Sequence, residues 1–101
     1  MGRQAEARDA LAWVERFPPS EAEGWMAVGA AWDRLGETDR AVAAFDKARD
    51  TSKAGPNADV GAALALARAG RLVEARRVLD AGLRRYPESV ALRRLVTRLG
   101  G

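Results

Sequence analysis

The sequence predicts an all-α fold, a superhelix of stacked helices, and three observations predict it. The first is a repeat: Gly2, Gly36 and Gly70 lie 34 residues apart, as do Ala7, Ala41 and Ala75. Leu11, Phe45 and Leu79 keep the same register, and so do Val14, Ala48 and Gly82. A period of this length, with small and large apolar residues at fixed phases, marks an array of helix–turn–helix units. Each unit in such a solenoid buries its apolar face only against its neighbours. The second observation is composition, rich in Ala and Arg and poor in β-branched residues, which favours helix throughout. The third is punctuation: Pro, Gly and N-cap residues fall between segments of 3.6-residue periodicity.

Taken in order, these signals predict six helices with short connections, so successive helices pack antiparallel. Residues 3–16 carry Ala7, Ala10, Leu11 and Val14 on one stripe, which stops at Pro18–Pro19. Ser20 precedes Glu23 by three residues, a capping-box pattern that opens the second helix. That helix presents Trp25, Val28, Gly29 and Trp32 on one face and closes near Leu35–Gly36. The third, residues 39–50, buries Ala41, Ala44, Phe45 and Ala48. Gly55–Pro56 marks a turn in the longest polar connection, and Asn57 or Asp59 is the expected N-cap of a short fourth helix, 60–69. Gly70 closes it. Residues 72–86 are amphipathic through Leu72, Ala75, Val78, Leu79 and Leu83 and stop before Pro87. The last helix, 89–99, carries Leu92, Leu95, Val96 and Leu99 on one side.

Catalytic and metal chemistry find little support. The chain has neither Cys nor His, which removes thiolate ligands, disulfides and the commonest general base. The carboxylates sit beside arginines at helical spacing, the pattern of solvated pairs worth a few tenths of a kcal/mol each. Gly24 and Gly29 lack a following Lys and lie within a helix, so they form no phosphate loop. Gly29 and Gly61 are instead expected to permit close helix packing. No metal and no cofactor is expected, and no enzyme. No stretch approaches the ~20 apolar residues that span a bilayer, and no apolar signal core opens the chain, so the compartment stays unassigned.

The segment 22–50 resembles the tetratricopeptide repeat. Trp25, Val28, Gly29, Trp32, Gly36, Ala41, Phe45 and Ala48 fall on its signature positions. Pro19 and Pro87 match the signature's late proline, whereas Lys53 holds that place in the central unit and Pro56 follows three residues later. The following unit departs from the pattern at Asp59, Ala62, Ala63 and Leu66 and returns to it at Gly70, Ala75, Leu79 and Leu83. The resemblance implies a right-handed array with Trp25, Trp32, Phe45 and Leu79 buried. It also implies a concave side lined by the first helix of each unit. The groove positions are then Met26, Ala30, Asp33 and Arg34 in one unit and Val60, Leu64, Ala67 and Arg68 in the next, with Arg94 and Arg98 continuing them. Members that clamp a peptide's terminal carboxylate use Lys and Asn on this face. Met26 and Ala30 stand here instead, so that mode of binding is not expected.

In this register residues 2–21 are half a repeat, 22–55 and 56–88 are complete repeats, and 89–101 is a terminal helix. The expectation is a piece of a longer solenoid; the alternative is a small self-contained protein with a cap helix. The end helices are expected to leave Ala10, Leu11 and Val14, and Leu92, Leu95 and Leu99, partly uncovered. That exposure raises the prospect of a homo-oligomer. Trp13 lies off the stripe of its helix, either packed over an edge or marking a contact surface.

Charge is uneven. Residues 68–101 hold nine arginines against three carboxylates, a net +6, while residues 1–67 carry −3. The plain account is a solvated arginine-rich face. The functional account is attraction of an acidic peptide or domain. Nucleic acid is disfavoured, because no aromatic residue interleaves the arginines. Two functions follow: a scaffold that holds a partner protein or peptide of acidic–apolar character in its groove, or a structural spacer or self-assembly module that stacks through its ends.

Overall fold

The structure, a computed structural model, describes residues 5, 8, 9, 11, 22–51 and 55–99. Five helices run through them: α1 (Ala22–Arg34), α2 (Thr38–Asp50), α3 (Asn57–Arg68), α4 (Leu72–Arg85) and α5 (Val90–Arg98). The first predicted helix falls largely outside this set, although Ala5, Arg8, Asp9 and Leu11 are each helical. Ser20 and Trp13 also lie outside the described residues. Each helix packs on the next in sequence, and the first helices of successive units, α1 with α3 and α3 with α5, touch as well.

The turns repeat as the glycines do. Gly36 and Gly70 adopt φ of +76° and +78°. At the first, the Gly36 N–H donates to Asp33 O and the Glu37 N–H donates to Trp32 O. At the second, Gly70 donates to Ala67 O and Arg71 to Leu66 O. Both are Schellman closures, in which a left-handed residue without Cβ lets the chain cap its own orphan carbonyls. They turn α1 into α2 and α3 into α4 by the same geometry.

Phe45 is the wedge of the array. A Cβ at Gly29 of α1 would stand 2.8 Å from its ring, and one at Gly61 of α3 would stand 2.5 Å away. The ring therefore enters a slot whose two walls are bare backbone, one in its own unit and one in the next. One period later the wedge is Leu79, fully buried, and it packs with Ala63 and Leu95. The smaller wedge tolerates side chains at the positions where Phe45 needs glycine. Trp32, Ala41, Ala44 and Ala62 complete the core around Phe45.

Several expectations need correction. Trp25 is only half-buried, because it sits at the surface with the Lys47 ammonium 4.9 Å above its ring. Neither Asn57 nor Asp59 is an N-cap. Pro56 occupies that place in αR geometry, so α3 starts at Asn57 and takes Asp59 into its first turn. The end stripes are covered too. Leu92 is completely buried and Leu95 nearly so, against the flanks of α3 and α4, and Leu99 is half-buried. Leu11 is buried against Val28 and Trp32, while Ala10 and Val14 lie outside the described residues. The carboxylates beside arginines at helical spacing do pair, Glu74 with Arg71 and Asp80 with Arg76.

Two outcomes check this packing. Trp32→Ala removes a ring that is 5% exposed and should cost roughly 3–5 kcal/mol in denaturant unfolding. Gly61→Ala should lower the melting temperature even though Ala is the better helix former, since overpacking of this kind costs about 1–3 kcal/mol. Adding Phe45→Leu should recover part of that loss, because the pair then resembles Leu79 against its side-chain-bearing neighbours. A double variant no better than the sum of its parts would mean the ring and Gly61 do not meet.

Candidate functional site

The first helices place the candidate residues by their phase. Met26 and Ala30 of α1 lie one and two periods ahead of Val60 and Leu64 of α3 and of Arg94 and Arg98 of α5. Between α1 and α3 the surface sinks into a recess of about 350 Å³. Met26, Ala30, Val60 and Leu64 form its apolar walls, and Asp33 and Arg68 stand at one end. Phe45 and Gly61 reach it from below, and Asn57 closes the far end. The wedge that joins the two units is thus also the floor between them. A neighbouring recess of about 480 Å³ is bounded by Ala30, Asp33, Arg34 and Arg68.

Arg94 and Arg98 belong to a third recess of about 450 Å³, on α5, with Val90, Arg93 and Thr97. Ala67 is half-buried on α3 and borders none of the three. The predicted residues therefore fall into a mixed apolar and charged group on α1 and α3 and a basic group on α5. Sequence reasoning missed Phe45, Gly61 and Asn57 as lining residues. Phe45 scores as core on any hydrophobic pattern, and only its contact with two glycines shows that its ring spans from core to surface.

Electrostatics join the units. Arg68 donates to Asp33, Arg71 Nη1 donates to Asp39 at 2.6 Å, and Arg8 donates to Glu37 at 2.9 Å. Each of these pairs spans 29 to 35 residues, close to one period. In the first two pairs an arginine of the later unit draws on a carboxylate of the earlier one, and in the third the arginine is the earlier partner, so much of the charge imbalance read from sequence is met inside the array. Arg71 also grips both oxygens of Glu74. That hydrogen bonding, reinforced by the arginine's charge, holds the Glu74 carboxyl below the usual glutamate range and raises the guanidinium's own pKa.

Asp59 is the one carboxylate among the described residues that is completely buried. It stands one period after Trp25, and its Oδ1 accepts from Arg49 Nε and Arg85 Nη2, both at 2.8 Å. Its Oδ2 has no hydrogen-bond partner among the described residues. A Cβ at Gly82 would lie 2.9 Å from that oxygen, so glycine there admits the carboxyl. Asp59 thereby ties α2, α3 and α4 together where the preceding unit uses an indole. Charged hydrogen bonds to a buried acceptor are worth about 1.5–3 kcal/mol each. Asp59→Ala should therefore destabilise the fold by about 2–4 kcal/mol, while Arg85→Ala, at a half-exposed donor, should cost less. Urea unfolding of the two variants checks the order.

Among the described residues no group of carboxylates is arranged to hold a metal ion, and no helix is long and apolar enough to cross a membrane. No curated protein and no solved structure matches this chain. Two family models do, each described as tetratricopeptide repeat, over residues 34–99 and 1–59. With matches that run through both units and across their junction, the chain belongs to the tetratricopeptide repeat family.

Proposed function

We propose that the chain is a non-catalytic scaffold whose recess between α1 and α3 holds a segment of a partner protein. Repeats of this family mediate protein–protein interaction. The observation that carries the proposal is the recess itself: four apolar side chains from two units, over an aromatic floor, with charge confined to one end. Pockets that take peptides are built this way, with apolar walls for affinity and a few polar groups for register. Arg68 beside the recess, and Arg94 and Arg98 one period further along, support a partner of mixed apolar and acidic character.

Asp33 is part of the specificity in this account. It is 13% exposed and already engages Arg68, so an acidic segment competes with it for the guanidinium. A segment that is apolar where it crosses Val60 and Leu64 and acidic beyond them satisfies both ends.

A labelled peptide of alternating Leu and Glu blocks tests this by fluorescence anisotropy. Leu64→Lys should weaken it about tenfold or more, by placing a charge on an apolar wall. The double reversal Arg94→Glu/Arg98→Glu should slow association and flatten its salt dependence. Affinity indifferent to both changes would remove the groove as the site.

A further inference from the structure

Arg34 and Arg68 stand one period apart, each in the last turn of its helix, and both bound the recess of about 480 Å³ beside the apolar one. Arg68 donates one N–H to Asp33, and its other donors meet no acceptor among the described residues. Arg34 has no carboxylate partner among them. Lacking a partner singles out nothing by itself, since Arg77 and Arg84 on α4 lack one too. What sets Arg34 apart is convergence. It shares one hollow with a second guanidinium and with the largely covered carboxylate that engages it. The helix dipole explains how the fold holds both cations without an acid for each, because the last turn of a helix favours positive charge.

The charges around the recess select the ligand. Two guanidinium groups and one carboxylate leave a single surplus positive charge, which one further carboxylate neutralises. A phosphate monoester carries about −1.5 to −2 at neutral pH, overshoots that balance and turns its excess toward Asp33. Asp33 engages Arg68 and not Arg34, so an arriving carboxylate that meets both guanidinium groups has the advantage over it. Spacing ties this recess to its neighbour, with which it shares Ala30, Asp33 and Arg68. Ala30 to Arg34, and Leu64 to Arg68, are each four residues of helix, a rise of about 6 Å. An extended chain rises about 3.3 Å per residue and turns residues i and i+2 to the same side. Two residues of extended chain therefore match the step from the apolar walls to the arginines.

We infer that the recess bounded by Ala30, Asp33, Arg34 and Arg68 seats one side-chain carboxylate of an extended partner segment, two positions from the apolar residue that lies over Phe45. The inference rests on the groove reading above and deepens it to a motif, apolar–x–acidic. Arg34 and Arg68 grip the carboxylate, and Asp33 limits the seat to one negative charge. Side chains i and i+2 point into the surface while the backbone runs along it, so Asp or Glu supplies the group rather than the end of a chain.

The probes are labelled, end-capped peptides carrying Leu-x-Glu, Leu-x-Gln or Leu-x-phosphoserine, with a fourth that ends after Leu-x in its own carboxylate, each measured against the full chain by fluorescence anisotropy. Leu-x-Glu should bind about tenfold or more tightly than Leu-x-Gln, the scale of one charge-assisted contact, and the difference should shrink as salt rises. Arg34→Gln should remove most of that difference with melting unchanged, since this exposed side chain has no carboxylate contact to lose. Arg77→Gln, which removes the same charge from an exposed position on α4, should leave the difference intact. Asp33→Asn should let the phosphoserine peptide overtake Leu-x-Glu. Equal binding of the Glu and Gln peptides, or equal loss with Arg34→Gln and Arg77→Gln, overturns the inference, while the groove reading stands if Leu64→Lys still weakens both peptides. Binding of neither peptide, or binding indifferent to Leu64→Lys, overturns the groove reading and the inference with it. Tighter binding of the phosphoserine peptide by the unaltered chain overturns the inference in favour of phosphate. Tighter binding of the free-ended peptide overturns it in favour of a chain terminus.

Discussion

The Phe45 ring, held between the bare backbones of Gly29 and Gly61, is the contact on which the rest of the structure depends. It joins α2 to the first helix of its own unit and to that of the next, so one side chain sets both the pairing within a unit and the stacking between units. A helix glycine costs roughly 1 kcal/mol against alanine. Two of them facing one ring make sense only if close approach returns more than that through buried aromatic surface. The same approach draws α1 and α3 together at the point where Met26, Ala30, Val60 and Leu64 form the recess above the ring. The groove follows from how the core is wedged.

Successive units solve the same geometric problem with different volumes. Where Phe45 needs glycine at 29 and 61, Leu79 fits beside Ala63 and Leu95. Where the first unit sets Trp25, the second sets Asp59, and the residue facing Asp59 shrinks from the period's alanine, Ala48, to Gly82. The second exchange changes chemistry as well as size. An indole needs apolar cover, whereas a buried carboxylate needs donors, and Arg49 and Arg85 bring them from two helices. A buried ion pair is weak evidence for stability in itself. Its clearer consequence here is geometric, since two guanidinium groups on one oxygen leave the junction little freedom to slide.

The architecture was legible in the sequence because it rests on periodic signals. Gly36 and Gly70 recur in register and form identical turns, and Phe45 and Leu79 recur as wedges. What was not legible lay in contacts between residues far apart. Asp59 follows a turn and precedes an apolar run, which is how an N-cap looks locally; its burial depends on Arg49 and Arg85, 10 and 26 residues away. The expected exposure of Leu92 and Leu95 failed for a related reason. Their stripe faces back toward α3 and α4, and the exposed flank of α5 is the one bearing Arg93 and Thr97. The candidate groove residues were placed on one side of the array by phase alone, but phase says nothing of depth. It therefore grouped Arg94 and Arg98 with Met26 and Leu64, although the recesses they line are separate.

The charge imbalance shows how such a pattern changes meaning once the fold is in hand. Along the chain it is a basic half after an acidic half, suggesting attraction to something outside. In the array the halves interlock: Asp33 and Asp39 of one unit engage Arg68 and Arg71 of the next, and Asp59 engages Arg85 within its own unit. The exchange does not continue. The positions one period after Asp33 and Asp39 are Ala67 and Val73, so the second unit offers no carboxylate there to arginines beyond it. Arginines without a carboxylate partner among the described residues consequently gather on α4 and α5, at Arg77, Arg84, Arg93, Arg94 and Arg98, with Arg34 on α1. An electrostatic gradient of this kind gives the array a direction: apolar recess at one end, cationic face at the other, with the ion-paired junction between them.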